Sequence, residues 1–226
     1  MKTSFNAKYV VFPVVALMMV YVIFHNERFV VEPNNPAWQH YEPFKWWLLP
    51  HAIAGLPVML LPPFLFSERL RRRFTKLHRI GGRLYVMGAL ILAPLGAYIQ
   101  YVEERQGFPR SFTVLGVIDA VMLMGTTLMA FVFAYKRKLT QHRQWMIRSY
   151  AVALVFLEVC FILGVTGWEK LGVEMVQAMI WSCMAMSLLL ADLAIHWPEL
   201  RAALATPAKL TAPAKREVPH GAVEPA

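Results

Sequence analysis

Along most of this chain, apolar residues neither keep to one stripe of a helix nor alternate as in a half-buried strand. They run on all sides for roughly twenty residues at a time, and short charged clusters then interrupt them. Six such runs predict helices, over about Tyr9–Phe24, Trp46–Phe66, Leu77–Tyr101, Ser111–Tyr135, Gln141–Val165 and Glu174–Trp197. Each is close to the ~20 residues that carry an α-helix across a hydrocarbon core, and an all-round apolar surface suits lipid rather than water. The expected fold is therefore all-α, a polytopic transmembrane bundle of six helices. Lys8 and the run after it resemble a secretory leader, but Val22-Ile23-Phe24-His25 offers no small residues for cleavage, so a retained helix is expected. The segment 26–45 carries Pro33, Pro36 and Pro43, and Trp46 and Trp47 follow it, as in a loop that ends at a membrane interface.

Charge orients these runs. With the N-terminus inside, 18 of the 23 Lys and Arg residues fall on inner segments, so both termini are expected in the cytoplasm. The formal charge of +9 recurs at alternate helix ends rather than on one surface, which argues against nucleic acid as a partner and for a lipid bilayer. A composition 58% hydrophobic and 16% charged fits that reading. Two domains result: residues 1–200 form the membrane domain, and residues 201–226, rich in Ala, Pro and Lys, form a cytoplasmic tail expected to be disordered. Cys160 and Cys183 lie inside apolar runs as packing residues. The 13 methionines are scattered without a Met-x-x-Met cluster, which speaks for packing rather than copper. No phosphate loop, nucleophile-base pair or metalloprotease motif occurs, so no catalytic residue is assigned.

The most specific local pattern occurs twice. His78-Arg79-Ile80-Gly81-Gly82-Arg83-Leu84-Tyr85 opens the third predicted helix, and His142-Arg143-Gln144-Trp145-Met146-Ile147-Arg148-Ser149-Tyr150 opens the fifth. The shared skeleton, His-Arg, a short gap, then Arg-x-Tyr, suggests two related helix pairs, with both histidines at similar depth on parallel helices.

These two signatures, with His51 on the preceding helix, resemble a family of bacterial multi-pass membrane proteins catalogued as a domain of unknown function; the likeness spans about His51 to Ala153. It implies a protein of the bacterial cytoplasmic (inner) membrane. In layout alone, the chain is also similar to the two-haem transmembrane cytochromes of the ascorbate-reducing kind. Those proteins hold a second haem by histidines on helices two and four, whereas helix four here offers Asp119 instead. His25 and His40 remain as substitutes, with no spacing that favours them.

Two imidazoles facing each other across a bundle are what a six-coordinate haem b requires. His78 and His142 are the candidate metal ligands, with Arg79, Arg83, Arg143 and Arg148 as propionate partners and Tyr85 and Tyr150 beside them. Gly82, Ala89 and Gly96 follow His78 as small residues, and Ser149 and Ala153 follow His142, faces that admit a close helix or a flat ligand. The plainer alternative is that the basic and aromatic residues anchor lipid head groups. A second candidate site, for a proton or quinol, comprises His51, Asp119 and Glu158, placed roughly 7, 12 and 10 Å in from the outer helix ends. A buried cluster that orients helices is the alternative there, and Asp192 is expected to balance inner arginines. Three functions follow: a haem b electron carrier or quinol-linked membrane oxidoreductase working with quinone or a redox partner, a proton-coupled transporter or channel, and a non-catalytic helper that binds lipid or assembles membrane proteins.

Overall fold

The computed structural model describes residues 8–25, 32 and 34–205, and among them there is helix and no strand. The elements are α1 (Lys8–His25), α2 (Ala37–Tyr41), a 3-10 turn (Glu42–Phe44), α3 (Lys45–Leu60), α4 (Pro62–Leu65), α5 (Glu68–Arg73), α6 (Thr75–Arg105), α7 (Arg110–Tyr135), α8 (Leu139–Thr166), a second 3-10 turn (Trp168–Leu171) and α9 (Val173–Ala205). Five stretches are long and apolar enough to cross a membrane, Trp38–Leu65 and the helices α6 to α9; α1 is a shorter apolar helix. The protein is an all-α polytopic bundle.

Side chains such as Leu17, Trp46, Val121 and Phe156 stand 64 to 76% exposed on these helices, the reverse of a water-soluble surface. Half of the apolar window of α8 is buried by other helices, against 17 to 28% for the other four spans, so α8 is the central element. Helices α3, α6, α7 and α8 pack in that order, each on the next, and α1 leans on α8. Val15 and Val22 of α1 meet Tyr150, Leu154 and Leu157 of α8, while Cys183 and Met184 of α9 meet Val155, Val159 and Leu163. Cys160 and Cys183 both take part in this packing.

Small residues let these helices close up, as expected where lipid supplies no hydrophobic drive between them. Gly88 of α6 is the tightest case: a Cβ there would stand 2.6 Å from the Ala54 carbonyl oxygen of α3 and 2.9 Å from Pro57. At the other end of α8, Gly167 caps the helix at φ +68° and donates its N–H to the Leu163 carbonyl at 2.8 Å.

Several boundaries differ from expectation. The second predicted helix is broken after Leu60, because Pro62 and Pro63 cannot donate to the helix ladder, and a short α4 restarts with proline in its first turn. The expected loop before Trp46 is helical over 37–44, since Pro36 and Pro43 sit where a helix start lacks partners anyway. Helix α9 passes Pro198 and includes 201–205, whose Ala and Leu are strong helix formers. The rest of the expected disordered tail, 206–226, and Lys2, Asn26, Arg28 and Pro33 lie outside the described residues. By contact the chain divides into two compact units, 1–195 and 196–226, and the described part of the second is the closing stretch of α9.

Substituting Gly88 by Ala should lower thermal stability in detergent by about 1–3 kcal/mol, the cost of forcing a methyl against backbone in a packed interface. Gly125→Ala, with nothing within 4 Å of the new Cβ, should leave it unchanged or slightly raised. Equal melting temperatures for the two variants would show that the α3–α6 contact does not set stability.

Candidate functional site

The two histidine motifs occupy the same register of their helices. His78 donates its backbone N–H to the Phe74 carbonyl at 3.0 Å and His142 to the Lys138 carbonyl at 2.9 Å, the first turn of α6 and of α8 respectively. Their side chains line one cavity of about 280 Å³ at the basic end of the bundle. Arg79, Gly82, Arg83 and Val86 of α6 and Arg143 and Met146 of α8 share its lining. Phe131 and Ala134 close it from α7, and Leu65, Phe66, Glu68 and Arg71 from the α4–α5 segment. Helix α5 is set there by Ser67, whose hydroxyl caps it by accepting from the Leu70 N–H. Glu68 of α5 pairs loosely with Arg143 at 3.7 Å.

The two imidazoles are held differently. His142 donates from Nδ1 to the Ala130 carbonyl of α7 at 2.8 Å, which fixes the tautomer and leaves Nε2 as the basic nitrogen. His78 Nδ1 is buried and has no hydrogen-bond partner among the described residues. An imidazole with a carbonyl-anchored Nδ1–H is the usual state of a metal-ligating histidine, and apolar walls with arginines at the rim suit a flat apolar ring bearing carboxylates. Among the described residues no group of three or more His, Cys, Asp and Glu side chains is arranged to hold a bare metal ion.

The second half of each motif points elsewhere. Tyr85, fully buried, is hydrogen-bonded to Ser149 at 2.9 Å, and Ser149 to Thr127 at 2.7 Å, so three hydroxyls tie α6, α7 and α8 together. Tyr150 packs with Phe12 and Phe66, its hydroxyl without a partner among the described residues. Arg148 donates from Nε and Nη2 to one oxygen of Asp192 on α9, at 2.8 and 2.7 Å, and lies over Trp145. Of the eight residues assigned to a haem from sequence, His78, His142, Arg79, Arg83 and Arg143 line the cavity, and Arg148, Tyr85 and Tyr150 do not. Glu68, Arg71, Ala130 and Thr127 were not singled out from sequence. Only the Ser67-Glu68 capping pair before a basic run could have signalled the first two.

The three polar residues toward the other end of the bundle stay apart. His51 of α3 donates from Nδ1 to the Leu92 carbonyl of α6 at 3.0 Å, and it packs where Gly96 leaves room. Glu158 of α8 accepts from the Ser187 hydroxyl of α9. One oxygen of Asp119 on α7 is buried with no partner among the described residues. No hydrogen bond or ion pair among the described residues joins any two of them. His40 pairs instead with Glu103 at 3.2 Å, and His25 stacks on Tyr21.

A protein family described as "Predicted membrane protein (DUF2306)" matches residues 48–195, a stretch that includes the cavity and all three far-end polar residues but not α1. No curated protein and no solved structure matches the chain.

Ser149→Ala should strip Tyr85 and Thr127 of their common partner and cost about 1–2 kcal/mol of stability in detergent, read as a lower melting temperature. Asp119→Leu should raise that temperature, because it removes an unpartnered carboxylate from a span. A fall with Asp119→Leu would show that the carboxylate has a stabilising partner.

Proposed function

The chain belongs to this family of predicted membrane proteins, and on that premise we propose that it is a haem b-binding electron carrier of the bacterial inner membrane, its basic end facing the cytoplasm. That it is an integral membrane protein in contact with the lipid bilayer follows from the family and from its long apolar helices. The observation that carries the finer reading is the pair His78 and His142 on one cavity, with His142 already oriented by the Ala130 carbonyl.

In this reading His78 and His142 would hold the haem iron, and the bond to Ala130 keeps the His142 ring from turning. Arg79 and Arg83, both on the helix that carries His78, would pair with the propionates through their planar forks. Leu65, Phe66, Val86 and Phe131 keep water from the ring faces. Haem, when bound, supplies a one-electron couple whose potential such surroundings tune. Quinol or a protein redox partner is the proposed electron donor. A proton-coupled transport site built from His51, Asp119 and Glu158 has less support, since two of the three are engaged with separate helices and the third stands alone.

Protein purified from cells supplied with haem precursor should show a sharp reduced α band on addition of dithionite. His78→Ala and His142→Ala should each abolish or broaden it, and Arg148→Gln should leave its intensity unchanged. A colourless preparation from haem-replete cells would sink the reading.

A further inference from the structure

We propose that the rim of the basic-end cavity is a binding site for the phosphate of an anionic lipid, which Arg71 and Arg143 take up in the place now held by Glu68. The inference does not rest on haem, because Arg79 and Arg83 are left to the propionates.

Charge at the cavity is lopsided. Four arginines line it, and Glu68 is the one carboxylate among the lining residues. That carboxylate holds Arg143 at 3.7 Å with both side chains at least half exposed, a loose pair of the kind that contributes little. Glu68 is half exposed, so its carboxylate can turn to water when Arg143 is taken up by another anion. A phosphodiester, like a carboxylate, offers two anionic oxygens to a guanidinium fork, and at this rim it would have the forks of both Arg71 and Arg143, where Glu68 has a single loose contact to Arg143.

The wall of the cavity tells which phosphate. Phe131 and Leu139 line it and are also 48% and 59% exposed, so its apolar surface continues onto the lipid-facing side of α7 and α8. An acyl chain has a path along them with its head group at the rim, whereas free phosphate would leave that surface unused. The place of the rim, next to the basic loop helix α5, is where a head group lies if this end faces an anionic leaflet.

The test titrates detergent-solubilised full-length protein with phosphatidylglycerol or phosphatidylcholine and counts bound lipid by native mass spectrometry. Phosphatidylglycerol should be selected, and Arg143→Gln or Arg71→Gln should each weaken it about fivefold, the effect of one basic group at an anionic surface. Glu68→Gln should tighten it, a gain that misfolding cannot imitate. Arg69→Gln, on the same helix but outside the cavity lining, should change it little. Equal binding of both lipids, an Arg69→Gln loss as large as that of Arg143→Gln, weaker binding by Glu68→Gln, or displacement of the lipid by millimolar inorganic phosphate would each overturn the proposal. Mass is read on haem-loaded and haem-free preparations alike, so a colourless protein that still selects phosphatidylglycerol refutes only the electron-carrier reading.

Discussion

Inside a bilayer, bringing two apolar helices together displaces lipid as apolar as themselves, so the bundle depends on close backbone approach and on a few polar bonds. Gly88 against the Ala54 carbonyl fixes how deeply α3 and α6 interlock. The chain of hydroxyls through Tyr85, Ser149 and Thr127 then fixes α6, α7 and α8 at one level. Tyr85 and Ser149 each follow a histidine by seven residues, about two helical turns, so the same bonds that join the helices also determine how His78 and His142 meet at the cavity. Packing and site geometry are one problem here.

The bundle itself was legible in the chain because uninterrupted apolar runs have few meanings. The shared place of the two histidines in the first turn of their helices was legible too, through the doubled motif. What the motif did not reveal is rotation: Arg148 follows His142 by six positions, about 240° around the helix, which carries it off the cavity to Asp192 on α9. Tyr150 is turned by about 80° and reaches the α1 side for the same reason. The role of Glu68 and Arg71 was illegible because it depends on how a proline-broken span hands over to a capped loop helix, and no periodicity records that.

Polar groups in the spans therefore divide into two kinds. At the basic end His78, Arg79, Arg83 and His142 converge on open space, while Arg148 is held by Asp192. Toward the other end most of them are consumed in pairwise bonds between neighbouring helices, His51 to α6 and Glu158 to α9, which makes them orienting contacts; Asp119 is the exception. Similar residue types at similar depth do different jobs according to whether a partner helix or a cavity faces them.

Helix α1 carries a consequence for biogenesis. It packs through Val15 and Val22 against Leu154 and Leu157 of α8, a helix synthesised long after it, and the family match begins only at Leu48. Until α8 has been made, α1 lacks the surface it packs on in the folded bundle. Its 18 residues make about 27 Å of helix, a little under the ~30 Å of a hydrocarbon core. Helix α1 thus finds its place only after a helix more than a hundred residues further along the chain has been made.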